Sequence, residues 1–441
     1  MNRRPLGSFR LWLAPGMGVK RHVSLASLGL VLLITGVIGA ILWGFAGDRQ
    51  VISDPIEEVL VSDAWETWGI WVSLAVAIAG LWTAVAAVRR LNRSLLSHWL
   101  DRPSDVAEVL HRELILSKGP HVVALGGGTG LSMLLRGLRA HSSNLTAVVS
   151  VADDGGSSGR LREAFDMPAP GDLSDCLAAL SEADQELGRL LEYRFERGAE
   201  LQGHTFGNLL ITTLTEVEGD FGRALEALNS LLQLRGRVFP AATQPVSLVA
   251  NKAHGVEVRG ESALREVPGV VTGIRIEPSD IGTPPGVINA IANADVIVLG
   301  PGSLFSSTIP PLLVDGVRSA LLASPAPVVY FCNIMTEAGE TDGMTAFDHV
   351  QALHDHLGAW PDVVLVNSQP LDPGRLEAYG AEGAEQVAFD AAPFDAAGVK
   401  YVLTDLLVDG AQAYHDSAVL AAWLTRYTGH RRSERWAERT L

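Results

Sequence analysis

Two cysteines, Cys176 and Cys332, are all that 441 residues contain, far apart and in no CxxC pattern. That excludes a disulfide scaffold and a thiolate zinc site, and it suits a reducing compartment. Charged side chains make up only 19% of the chain against 47% apolar ones, which excludes a disordered or fibrous protein. Positive charge is scarcest in the larger, C-terminal part. Residues 1–118 carry 12 basic and 10 acidic side chains, whereas residues 119–441 carry 22 and 40, and the net charge is −16. An acidic body of this kind repels nucleic acid. Missing too are an HExxH or HxxxH pair and a GK[ST] loop, so no zinc or Walker signature is present.

What the chain does have is two long uncharged runs. Val23–Gly47 is 25 residues and Thr67–Val88 is 22. As helices they reach about 37 and 33 Å, enough for a hydrocarbon core of about 30 Å. Arg3, Arg4, Arg10, Lys20 and Arg21 precede the first run, and Arg89, Arg90 and Arg93 follow the second. The loop between them holds Asp48, Asp54, Glu57, Glu58, Asp63 and Glu66 against Arg49 alone. The positive-inside rule then places both termini and the main body in the cytoplasm of a bacterial cell, with a short acidic loop outside. The expected organisation is a basic tail over 1–22, a transmembrane hairpin over 23–88, a juxtamembrane helical linker over 89–118 and a ligand-binding body over 119–441. Neither run contains an ionisable residue, so the hairpin reads as an anchor rather than a transport path.

From residue 119 short apolar runs alternate with stretches of helical spacing. Strands are expected at 121–125, 146–152, 295–299, 328–332 and 363–366, and a hairpin at 246–250 and 256–259 that 270–276 extends. Helices are expected near 131–140, 172–182, 184–195, 205–217, 220–234, 286–292, 308–323 and 346–357. The fold class is α/β: a Rossmann-like, mostly parallel sheet with helices on both faces and a β-hairpin insertion. Ligands of such sheets sit beyond the carboxyl ends of the strands. Four polar or glycine-rich clusters fall at those ends: GGGTG, DDGGSSGR, GPGSLFSS and CNIMTEAGET.

Each cluster has a chemical reading. Gly126–Gly130, with Gly127, Gly128, Thr129 and Gly130, lets backbone N–H groups approach a phosphate at a helix start, although a tight strand–helix turn needs the same glycines. Asp153 and Asp154 stand where such folds put a carboxylate on a ribose or on Mg²⁺. Gly155, Gly156, Ser157 and Ser158 form a candidate anion nest. Gly300, Gly302 and Ser303 repeat the strand-to-helix logic, where Ser is equally a helix cap. Asp172 is as much a cap as a ligand contact. His204 lies in GHTFGN without a metal partner, and His349 reads as a surface helix position.

Taken in order, GGGTGLSMLLRGLR, VVSVADDGGSSGRLR, PGDLSDCL, GHTFGNLL, GPGSLFSSTIPPLLV, CNIMTEAGETDG and FDHV resemble the YvcK proteins, called gluconeogenesis factors. That group is related to CofD, the 2-phospho-L-lactate transferase of deazaflavin cofactor synthesis. The resemblance covers residues 119 to the low 430s and implies a body that binds a UDP-sugar such as UDP-N-acetylglucosamine, with a role in cell shape and growth on gluconeogenic carbon. It carries Gly127, Gly128, Thr129, Gly130, Asp153, Asp154, Gly300 and Ser303 over as ligand contacts, followed by Asn208 and Asn333. Ser174-Asp175 departs from the Arg-Asn expected of the family. The second reading is a CofD-like phosphotransferase in which Asp153 or Asp154 holds Mg²⁺. The expected partners are a nucleotide-linked small molecule and the lipid bilayer; a homo-oligomer is compatible with the sequence.

Overall fold

The computed structural model describes residues 19–45, 63–96, 106–181, 185–410 and 412–440. The chain divides into two compact units, Met1–Arg112 and Glu113–Leu441. The first is built on two helices, Val19–Phe45 and Asp63–Leu96. Both are long and apolar enough to cross a membrane, and only 11% and 17% of their apolar windows is buried. A water-soluble core helix would show the reverse. Leu30, Ile38, Trp71, Ile78 and Trp82 turn their side chains outward. The partner-facing positions are small: a Cβ at Gly36 would strike the backbone of Ala77, and one at Gly80 the backbone of Leu33. Close backbone approach through small residues is how helices associate in lipid, where burial of apolar surface gives no drive.

The second unit is the α/β body. Its main sheet has seven strands: β1 (Val122–Gly126), β2 (Leu145–Val149), β3 (Arg237–Pro240), β7 (Val296–Leu299), β8 (Val328–Phe331), β9 (Val363–Asn367) and β10 (Tyr401–Thr404). The order is β3-β2-β1-β7-β8-β9-β10, and every pairing is parallel, for example Val122 with Leu145 on one side and with Val296 on the other. Successive side chains of a strand point to opposite faces, yet all five residues of β1 and all four of β7 are buried. Both faces are therefore covered, as a parallel sheet requires. A second, antiparallel sheet of β4 (Ser247–Lys252), β5 (Val256–Arg259) and β6 (Val271–Glu277) has β4 in its centre.

Local chemistry sets the helix ends. Thr345 and Asp348 form a capping box at the start of Ala346–Leu357, and Gly358 ends it in the left-handed region. Asp220 accepts from the Arg223 N–H and so fixes the start of the helix Phe221–Leu231. Three sequence expectations change. The segment expected as one helix over 308–323 is a π turn (Leu304–Thr308), a 3₁₀ turn (Pro310–Leu313) and a helix (Asp315–Ala323), because Pro310 and Pro311 lack the N–H groups a continuous helix needs. A helix absent from the expected ones begins at Gly156, inside the DDGGSSGR cluster, and runs to Phe165. His349 is fully buried; packing of its helix against the core places it inside.

Candidate functional site

The chain lays down β1, β2 and β3 in one direction and β7 to β10 in the other, so the strand order reverses between β1 and β7. Connections leave that point on opposite faces and open a crevice at the carboxyl ends. Two glycine loops meet there. Gly127 caps the helix Gly128–Leu138 with no side-chain bond, and Gly128 has a φ of 63°, open to glycine at little cost. From β7, the Gly300 N–H donates to the Leu125 carbonyl at 2.9 Å. A Cβ on Gly130 would collide with the Pro301 carbonyl, and one on Gly302 would come within 3.2 Å of the Gly127 carbonyl. The loops pack back to back and form one backbone-lined floor, with Thr129 in the first turn of the helix.

Carboxylates stand over this floor. Asp172, in the first turn of Gly171–Leu180, lies against Gly127 and accepts from the Gly128 backbone. It does not cap the helix, whose N-cap is Pro170. Burial, then the neighbouring Asp153, Glu261 and Asp175, hold the Asp172 carboxyl well above the usual range. Asp153 accepts from the Gly155 N–H at 2.8 Å through Oδ1, and its other oxygen faces Gly171. Asp154 points elsewhere: its Oδ1 accepts from both the N–H and the hydroxyl of Ser262, each at 3.0 Å, and so fastens the helix Glu261–Glu266. The two adjacent aspartates thus have different jobs. Among the described residues no three His, Cys, Asp or Glu side chains converge as a metal site.

Ser157, His204 and Asn208 come together in one buried network beside Ser158. The Asn208 amide donates to Ser157 Oγ at 3.0 Å, and Ser157 in turn faces His204 Nδ1 at 2.9 Å. Burial, with Arg160 and Arg194 nearby, lowers the His204 pKa and favours the neutral ring, which shares one hydrogen bond with the Ser157 hydroxyl. Ser174, at the departure from the family pattern, is buried against Gly207, while Asp175 lies among Glu192, Arg136 and Arg194 with its carboxyl pushed up to about 6, chiefly by burial.

The remaining predicted residues reveal two the sequence reading missed. Ser303 donates to Glu337 Oε2 at 2.6 Å, and Asn333 Nδ2 lies 3.4 Å from Glu337 Oε1. Glu340, with no exposure, accepts from the Ser306 N–H at 2.6 Å. Burial and the adjacent Glu337 push its carboxyl up to about 8. Both glutamates belong to the CNIMTEAGET cluster; the signal was the polar run after β8, but nothing local singled out its acids.

A family model described as 2-phospho-L-lactate transferase CofD matches residues 122–407. A Deinococcus radiodurans protein provisionally designated a gluconeogenesis factor is 44% identical over 425 residues, 94% of this chain and 88% of its own. The gluconeogenesis factor of Bacillus subtilis is 42% identical over 294 residues, 66% of this chain and 92% of its own. The chain belongs to the gluconeogenesis-factor (YvcK) family, within the CofD group. A crystal structure from Bacillus halodurans is 42% identical, covers 69% of this chain and 99% of its own, and superposes with a TM-score of 0.68. As a gluconeogenesis-factor family member, this chain shares an alignment with the Deinococcus relative too long for its body alone, so that match takes in N-terminal residues as well.

Proposed function

We propose that the switch-point crevice binds a nucleotide diphosphate sugar of the UDP-N-acetylglucosamine type, and that this family member is a regulatory binding protein. The observation that carries the reading is the contact between the Gly126–Gly130 and Gly300–Ser303 loops, which brings two stretches of glycine backbone together at a helix N-terminus, where a diphosphate would take over the Gly128 N–H from Asp172. Gly127, Gly128, Thr129 and Gly130 take one phosphate and Gly300, Gly302 and Ser303 the other. Asp153 and Asp172 accept sugar or ribose hydroxyls, and the Asp172 carboxyl, raised well above the usual range by burial, does so with little repulsion of the diphosphate. Gly155, Ser157 and Ser158, with Ser157 held by His204 and Asn208, complete the wall, with Asn333 beyond.

The two N-terminal helices anchor the protein in the bacterial cytoplasmic membrane, with both termini and the body in the cytoplasm. Their outward apolar side chains and the arginines that flank them support this. Tethering places the binding site beside the inner leaflet, where an envelope precursor is consumed, and links carbon supply to cell shape.

The test is thermal stability of the full chain in detergent with UDP-N-acetylglucosamine, UDP-glucose, GDP and Mg²⁺. A ligand at 100 times its dissociation constant stabilises by about 2.7 kcal/mol. A shift with UDP-sugars and no product on long incubation supports the reading; no shift with any UDP-sugar defeats it. Deleting residues 1–88 is expected to disturb cell shape, and normal morphology at native abundance would count against the anchor.

The match to the 2-phospho-L-lactate transferase family motivates a second reading, which we propose as a phosphotransferase acting on a nucleotide donor and a deazaflavin hydroxyl. Asp153 and Asp172 would supply two carboxylates to a Mg²⁺ whose other ligands come from the diphosphate and water. Asp154, already bonded to Ser262, fits that role less well. A shift confined to the guanine nucleotide with Mg²⁺ would favour this reading.

A further inference from the structure

Asp153 and Asp154 turn to different neighbours, and a separate cavity of about 670 Å³ opens on the Asp154 side, between the helix Gly156–Phe165 and the β4–β5 strands. Neither glycine loop nor Asp172 lines it. Its volume falls within the range of small-molecule sites. In a strongly acidic body, three arginines gather here: Arg160, Arg162 and Arg259. Arg259 is neutralised by Glu277 and Glu257. Arg160 and Arg162 are not. Neutral acceptors orient them instead: Arg162 donates to Ser247 Oγ at 2.7 Å and to the Ala152 carbonyl, and Arg160 donates to the Gln202 carbonyl at 3.0 Å. Among the described residues neither guanidinium forms an ion pair, so two cations held in fixed directions line the cavity, where the acid Asp154 is bonded to Ser262.

The helix that forms one wall starts in the same cavity. Gly156 lines it, a Cβ there would meet nothing, and no side chain caps the helix start. Two forked donors beside an uncapped helix start match the oxygens of a phosphate. The space far exceeds a bare phosphate, however, and the exposed carboxylates of Glu163 and Asp166 also line it. Those acids accept hydrogen bonds from hydroxyl groups. We propose that this cavity binds a phosphorylated polyol, a sugar phosphate, with Arg162 and Arg160 on the phosphate and Glu163 and Asp166 on the hydroxyls. It is a second site, separate from the switch-point crevice.

The test is calorimetric titration of the detergent-solubilised full chain with glucose 6-phosphate, inorganic phosphate and glucose. Glucose 6-phosphate is expected to bind more tightly than inorganic phosphate, and glucose to give no heat. Arg162→Ala and Arg160→Gln are each expected to weaken glucose 6-phosphate about tenfold or more. Saturating UDP-N-acetylglucosamine is expected to leave that binding in place. Silence with both phosphorylated probes at millimolar concentration overturns the proposal, as does full affinity in both arginine variants. Displacement by the nucleotide sugar would make the two sites one and overturn it as well. Circular dichroism reports whether Arg162→Ala folds; if it does not, the exposed Arg160→Gln decides. The direct titrations do not depend on whether any nucleotide sugar binds, so the two readings fail separately.

Discussion

The carboxylate of Asp172 occupies the space that a side chain on Gly127 would need. Two residues from different motifs, one after β1 and one at the start of Gly171–Leu180, are thus fitted to each other. Gly127→Ala forces the Asp172 carboxylate out of its place and is expected to cost about 1–3 kcal/mol. Adding Asp172→Ala should return part of that, with a coupling of about 0.5–3 kcal/mol in a double-mutant cycle by chemical denaturation. Strict additivity would show that the two do not share the space.

The two glycine loops allow a companion experiment. Gly130→Ala drives a Cβ into the Pro301 carbonyl and pries the loops apart. A loss of about 1–3 kcal/mol is expected, together with weakened UDP-sugar binding if the loops grip the diphosphate. Unchanged stability would mean that the loops yield freely.

Glu340 predicts a pH dependence. Its carboxyl titrates near 8 in the folded protein against 4.5 for an ordinary glutamate. The folded state therefore holds this proton more tightly than the unfolded state. The sign follows: the contribution of Glu340 is fully present below pH 4.5 and is lost as the pH rises toward about 8. Glu340→Gln keeps an acceptor for the Ser306 N–H and cannot ionise. Its melting temperature relative to the parent should rise between pH 5 and pH 8. A constant difference across that window would remove Glu340 from the account.

Lys252 is a buried amine that forms no ion pair among the described residues, with the carboxylates of Asp342 and Glu340 acting on it from further off. Its Nζ donates to the Leu264 and Gly339 carbonyls at 2.7 and 2.8 Å and to the Val267 carbonyl. It so ties β4 to the end of the helix Glu261–Glu266 and to the loop that carries Glu337 and Glu340. Lys252→Met leaves three carbonyls without this donor and should destabilise by about 3 kcal/mol or more, at about 1 kcal/mol or more each. Denaturation midpoints with an unchanged m-value would report it; a neutral substitution would show that water replaces the amine.

Much of this molecule can be read from consecutive residues. The two uncharged runs, the arginines around them, the apolar strands and the glycine loops are local patterns, and local periodicity is what fixes helix and strand. The short strands β3 and β10 escaped, since four residues with a proline or with half-exposed side chains carry no period. The site was legible in its loops but not in its pairings. Nothing near Ser303 points to Glu337, and nothing near Gly127 points to Asp172, because the segment after β7 meets the one after β8, and the segment after β1 the one after β2, only once the sheet is assembled. His349 shows the same limit: polar on its face of the sequence, it is buried because packing, not pattern, decides what each helix face meets. The sequence by itself determined the α/β class, the apolar hairpin and the glycine-rich strand ends. The tertiary structure alone decided which acids are buried, and so which hold their protons, because desolvation is a property of distant segments meeting rather than of any one segment.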